Sequence, residues 1–174
     1  EEIAKLRASR RIWAQMIKEG FGISNERCQK LRMQSYTGGS DLISQKPQLN
    51  IARDAVRTLA AILGGTQGTN TTSFDEAITI PTQLSQQIAI DIPYIILLEK
   101  SLAEVVDPLG GSYYLETLTN KIETETWIHL DEIVQASSYQ KALAGMLRDI
   151  EDESYKEIKA IESGKQKIAG LNVD

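Results

Sequence analysis

The 174-residue sequence predicts an α/β fold built from βα units around a parallel sheet. Three observations carry this expectation. Strand candidates at Lys30–Thr37 and Thr66–Thr72 alternate with longer segments of helical periodicity. Glycine and proline punctuate the boundaries at Gly20, Gly22, Gly64–Gly65, Pro81 and Gly110–Gly111. The order helix, strand, helix, strand, helix, short strand and two helices supplies too few units to close an eight-stranded barrel, so the units are expected to form part of one.

Each element follows from local pattern. Ile3, Leu6, Arg7, Arg10, Trp13, Met16 and Ile17 recur at helical spacing, which predicts an amphipathic helix over 2–18 that Gly20 and Gly22 stop. Lys30–Thr37 reads as a short strand of low apolar content, and Ser40–Pro47 as loop. Asn50 is the expected N-cap of a helix over Ile51–Leu63, with Ile51, Val56, Leu59, Ala60 and Leu63 on one face. Gly64–Gly65 end it, and Thr66–Thr72 follows as a strand. Pro81 opens a helix running to about Leu102, with a kink or break expected at Pro93. Val105–Val106 reads as a brief strand and Asp107–Gly111 as a turn. Helices over 117–134 and 138–163 complete the chain, the second ended by Gly164.

Composition narrows the function classes. The hydrophobic fraction of 41% and charged fraction of 25% are ordinary for a globular domain with one sizeable core. A net charge of -5 argues against general nucleic-acid binding. No apolar run approaches the length that spans a bilayer. Glu1–Glu2 opens directly on a helical pattern without a signal sequence. With no initiating Met, the chain is expected to begin inside a larger protein; a trimmed self-contained domain is the alternative. The single cysteine, Cys28, rules out an internal disulfide and fits a reducing cytoplasm, the expected location. A plain structural thiol is the favoured reading of it over a reactive one.

The stretch Gly64–Ala77, GGTQGTNTTSFDEA, is too polar for a buried strand and too poor in charge for an ordinary loop. Gln34, Tyr36 and Gly38 alternate with Ser35, Thr37 and Gly39, so both faces of the first strand carry polar or small groups. Thr66, Gly68, Asn70 and Thr72 repeat this on one face of the second. Facing a dry core, such strands would leave unpaired hydroxyls and amides at about 1–3 kcal/mol each. They suit a tunnel holding a polar ligand, or they are surface loops.

Few constellations carry chemistry. The lone His129 reads as a helix-surface or packing residue, which leaves neither a zinc set nor a Ser-His-Asp arrangement. Phosphate-loop and dinucleotide fingerprints are absent. Asp75 and Glu76, just past a strand end, suit either a ribose contact or the capping of the next helix, capping being favoured. Arg27, Lys30 and Arg32 form a basic cluster that suits a phosphate or an ordinary solvated face.

Five ordered segments carry a family resemblance: IAKLRASRRIW, LRMQSYTGG, GGTQGTNTTSFDEA with the following IPT, VVDPLGGSYYLETLT, and SGKQKIAGLN. Together they resemble the large subunit of methylmalonyl-CoA mutase and its relatives, the coenzyme-B12-dependent acyl-CoA mutases, over essentially the whole chain. The resemblance implies a (β/α)8 TIM barrel threaded by the pantetheine arm of an acyl-CoA, with a separate domain presenting adenosylcobalamin for a radical carbon-skeleton 1,2-shift. It assigns residues 1–116 to the C-terminal part of that barrel and 117–174 to a helical extension toward an absent cobalamin-binding domain.

Residue by residue, the resemblance places Arg27 and Arg32 on the CoA phosphates. Gln34 and Gln67 fall on the substrate, and Tyr36, Glu76 and Ala77 on the cofactor side. Gln34 and Tyr36 depart from the family's usual His and Gln in an HSQT-like motif, and Asn70 replaces a usual His. These departures imply a different acyl-CoA, a less active relative or an inactive partner subunit. The chain has no DxHxxG segment, where the family's cobalt ligand lies, and lacks the barrel half holding the catalytic His and Tyr. It is therefore expected to contain no catalytic or metal-binding residue and to be inactive alone. The remaining barrel half, a B12-binding domain or subunit and an oligomer are the implied partners. A non-catalytic structural partner subunit is the alternative, and a stand-alone CoA or phosphate-ester binder a further one.

Overall fold

A computed structural model describes residues 1–99, 102 and 104–173. They form two compact units, residues 1–124 and residues from 125 onward.

The first unit opens with α1, Glu2–Gln15, which buries Ala4, Arg7, Ala8 and Ile12. The buried row is set by alanines rather than by the larger Ile3 and Leu6, because α3 approaches closely: a Cβ on Gly64 would lie 2.5 Å from Leu6 Cδ1. After Gln15 the helix widens into a π turn over Met16–Gly20, where Phe21 N–H reaches the Met16 carbonyl at 3.1 Å. A short helix, α2, Glu26–Gln29, follows, its N-cap Asn25 accepting from the Arg27 amide at 3.0 Å.

Strand β1, Gln34–Tyr36, pairs in parallel with β2, Gly68–Asn70, placing Gln34 opposite Gly68, Ser35 opposite Thr69 and Tyr36 opposite Asn70. The crossover between them is α3, Leu49–Leu63. This is the expected parallel α/β arrangement, with strands shorter than the sequence pattern suggests and two of them among the described residues.

The buried face of α3 differs from expectation. It buries Asn50, Asp54, Thr58 and Ala61, while Val56 is 66% exposed. The helix starts at Leu49, so Asn50 lies inside it rather than capping it. The reason is the sheet: Thr58 Oγ1 sits 2.9 Å from Thr71 Oγ1, so the strands turn hydroxyls toward α3 and its polar row answers them.

Helix α4, Gln83–Tyr94, is capped by Thr82, whose hydroxyl accepts from the Ser85 amide at 3.2 Å. Pro93 does not break it. The helix runs through the proline and continues into a π turn over Ile95–Glu99. Its expected run toward Leu102 crosses Lys100 and Ser101, which lie outside the described residues. Val105–Val106 is not a strand. Both residues are exposed and lie in bends, unpaired with either strand of the described residues, and they lead into Asp107 at φ 52°. Helix α5, Tyr113–Gln135, starts earlier than the expected 117, directly after Gly111 at φ 82°. Buried Arg7 ties α1 to this corner through ion pairs with Asp107 and Glu116, while Arg11 adds Glu116 at 2.8 Å.

The second unit holds the end of α5, then α6, Tyr139–Glu162, capped by Ser138. Its tail is folded rather than loose: Asn172 donates to the Ile161 and Gln166 carbonyls at 3.0 and 2.8 Å and accepts from the Ile168 amide at 2.7 Å. No helix of the described residues is long and apolar enough to cross a membrane.

Candidate functional site

Strand alternation divides the sheet into two faces. Ser35, Thr37, Thr69 and Thr71 face α3, and Thr37 is buried. Gln34, Tyr36, Gly68 and Asn70 form the opposite face, where the Gln34 and Asn70 carboxamides meet at 3.3 Å and Tyr36 is 67% exposed. No helix covers this face among the described residues.

Beyond the strands the pairing passes to hydroxyls. The Thr72 amide donates to Thr37 Oγ1 at 2.7 Å, and the Thr72 hydroxyl donates to the Thr37 carbonyl. The two loops that leave the strands are then joined by Asn50. Its Nδ2 donates to the carbonyls of Ile43 at 2.8 Å and Phe74 at 2.9 Å, and its Oδ1 accepts from the Ile43 amide at 3.2 Å. This fully buried carboxamide holds the β1 loop against the β2 loop.

Arg57 anchors the first loop, donating from Nη1 to the Gly38 carbonyl at 2.7 Å and from Nη2 to Asp41 at 2.5 Å. On its other side Nη1 stands 3.7 Å from Oδ1 of the buried Asp54. Burial raises the Asp54 pKa to about 6; Arg57, Arg53 and the Thr37 hydroxyl oppose the shift and Glu76 adds to it. No hydrogen bond of ordinary geometry reaches either Asp54 oxygen.

Asp75 serves the helix that follows. Its Oδ2 accepts from the Thr82 amide at 3.2 Å and from the Thr82 hydroxyl at 3.0 Å, so it steadies the cap rather than acting as the cap. Burial pushes its carboxyl up, but hydrogen bonds from Ser85 and Thr82 prevail and hold the pKa below the ordinary carboxylate value. Glu76 is exposed and lies over Gly39, where a Cβ would come 2.8 Å from Glu76 Oε1.

The residues singled out in the sequence sort along the strands. Arg27, in α2, and Arg32 precede β1; both are exposed, with no ion-pair partner among the described residues. Gln67 stands at the amino end of β2. Its Oε1 accepts from the Met33 amide at 2.7 Å and its Nε2 donates to the Gly65 carbonyl at 3.1 Å. Gln34 lies on the open face. Tyr36, Glu76 and Ala77 fall at or beyond the carboxyl ends. His129 is an exposed helix residue 3.3 Å from Glu132.

The methylmalonyl-CoA mutase family model matches residues 1–173. The chain belongs to the methylmalonyl-CoA mutase family. It is 41% identical over 173 residues to a probable mitochondrial methylmalonyl-CoA mutase of Caenorhabditis elegans, covering 98% of this chain and 23% of that protein. Identity is 40% over 172 residues to the methylmalonyl-CoA mutase of Escherichia coli (strain K12), 98% of this chain and 24% of that protein. It is 35% over 174 residues to the 2-hydroxyisobutanoyl-CoA mutase large subunit of Aquincola tertiaricarbonis, 99% of this chain and 31% of that subunit. The chain thus spans 23–31% of the length of these mutase relatives.

Within this mutase segment, sequence reasoning missed Asn50, Asp54 and Arg57. A signal was present: Asn50, Asp54 and Thr58 recur every four residues along α3, marking one polar stripe opposite the hydroxyl-bearing strands.

Proposed function

We propose that this chain is part of an adenosylcobalamin-dependent acyl-CoA mutase and lines the tunnel for the CoA ester. The observation that carries the reading is the open, polar sheet face of Gln34, Tyr36 and Asn70 in a chain of this family. Residues 1–116 supply the last βα units of a TIM barrel, and 117–174 form the helical extension beyond it. The backbone groups of Gln34 and Tyr36 alternate away from β2, toward the edge where the remaining barrel half would add a parallel strand.

The residues present fit both ligands. Arg27 and Arg32, exposed and without an ion-pair partner among the described residues, suit CoA phosphates. Gln34 donates or accepts neutral hydrogen bonds toward an acyl carbonyl or pantetheine amide. Tyr36, with an exposed ring, and Glu76, seated on a glycine with its neighbour Ala77, would hold the cofactor side. Adenosylcobalamin, when bound, supplies the radical chemistry of the carbon-skeleton rearrangement. These side chains bind, orient and exclude water; the reacting groups belong to the missing barrel half and B12-binding part, so the chain alone is inactive.

Reconstitution tests this. The folded chain, combined with the missing barrel half, a B12-binding subunit and adenosylcobalamin, is expected to isomerise a short-chain acyl-CoA. A correctly folded assembly that turns over none would refute it. Gln67 favours a second reading, a non-catalytic structural partner, because both ends of its carboxamide are already bonded to backbone. In that case Arg32→Ala and Gln67→Ala leave the activity of the complex unchanged.

A further inference from the structure

Asp54 carries a carboxyl group with no exposure and no hydrogen bond of ordinary geometry, set directly beneath the two loops that carry the candidate site. The charges that face it are few. Arg57 and Arg53 lie on its own helix, and Glu76 faces it from the loop after β2. Asp41, on the loop after β1, reaches it through Arg57. The Thr37 hydroxyl already accepts from the Thr72 amide and retains one O–H to give.

We propose that Asp54 is a positioning residue whose proton occupancy sets the loop Gly38–Asp41, through the Arg57 guanidinium, and thereby the seat of Glu76 on Gly39. When Asp54 is protonated, Arg57 stays on the Gly38 carbonyl and Asp41. When it ionises, a buried carboxylate stands 3.7 Å from Nη1, with the Thr37 hydroxyl as another donor. A charge-assisted bond to carboxylate is stronger than one to a peptide carbonyl, so Nη1 transfers from Gly38 to Asp54. The freed Gly38–Gly39 segment shifts, and the new negative charge repels the Glu76 carboxylate lying on it. The proton leaves to solvent, and the one hydrogen bond exchanged is that of Arg57 Nη1. Burial raises the Asp54 pKa to about 6, which sets where the transition falls.

The bearing on catalysis rests on the reading of Glu76 as a cofactor-side residue; the loop movement does not. Carbon-detected NMR of the 174-residue chain from pH 4 to 8 tests the movement. The Asp54 carboxyl carbon is expected to titrate near pH 6, with the Gly38 and Gly39 amides following the same midpoint. In Asp54→Asn those amides are expected to stop titrating there and to keep the acid-form shifts. An Asp54 midpoint below 4.5, amides that ignore it, or a transition that survives in Asp54→Asn would each overturn the proposal. Should Asp54→Asn fail to fold, Arg57→Lys provides the second arm: the Gly38 shift at pH 6 must shrink, and an unchanged shift overturns the proposal. If the titration is found but Glu76→Gln leaves a reconstituted mutase unaffected, the positioning stands and the functional reading of Glu76 fails.

Discussion

Asn50 donates to the Phe74 carbonyl at 2.9 Å from a side chain with no exposure, so one carboxamide on α3 fixes where the chain leaves β2. The same group holds Ile43 on both its amide and its carbonyl. Asn50→Asp keeps the size but removes both donors, stranding the Ile43 and Phe74 carbonyls beside a buried acid. A loss of about 2–4 kcal/mol is expected in chemical denaturation. A change below about 0.5 kcal/mol would show that the two loops are held elsewhere.

Asp75 ties acid sensitivity to the start of α4. Its folded pKa lies below the unfolded value of 3.8, so its contribution is complete above that value and is lost as pH falls through the folded one. Asp75→Ala is expected to lower stability at pH 7 by about 1–3 kcal/mol. The gap from the parent closes only under strongly acid conditions. Denaturation curves of the two proteins at pH 7 and pH 3 decide it, and a gap that widens in acid would be the wrong sign.

Asp54 has the opposite sign. Its folded pKa of about 6 exceeds the unfolded 3.8, so the folded state binds the extra proton and stability from this group falls as pH rises between those values. Asp54→Asn is therefore expected to be the more stable protein at pH 7, by roughly 2–3 kcal/mol at most. The difference opens between about pH 4 and 6 and is constant above. A less stable Asp54→Asn at pH 7 would show that the ion pair with Arg57 outweighs burial.

Two glycines separate packing from positioning. At Gly64 an added methyl meets Leu6 Cδ1 at 2.5 Å and the Ala60 carbonyl at 2.9 Å, so Gly64→Ala is expected to cost about 1–3 kcal/mol by forcing α1 and α3 apart. At Gly39 the obstacle is the end of the flexible Glu76 side chain, at 2.8 Å. Gly39→Ala should cost less than about 1 kcal/mol yet displace Glu76. Thermal melts rank the two variants, and equal losses would contradict the distinction.

The layout of the chain was legible where punctuation is strong. Gly64–Gly65 and Pro81 bracket β2 and the approach to α4, and Ser138 and Gly164 bracket α6, because these residues act through local backbone geometry. The polar stripe of α3 was visible in its spacing but not its burial, because periodicity rules send polar residues outward and here the sheet presents hydroxyls to the helix. Val105–Val106 illustrates the converse: β-branched residues make a strand only where another strand can pair with them. Glu76 could be placed at a strand end from sequence, but its seat on Gly39 depends on a contact across 37 positions that no local pattern encodes.

The Michaelis constant for the acyl-CoA, measured on a reconstituted mutase carrying Arg32→Ala in this chain, tests the tunnel-lining role most directly. Arg32 is exposed and unpaired among the described residues, so the substitution should leave the fold intact. The account predicts a rise of about tenfold or more, the loss of one charge-assisted phosphate contact, with kcat little changed. An unchanged constant in an active complex would contradict it and leave the chain as a structural partner.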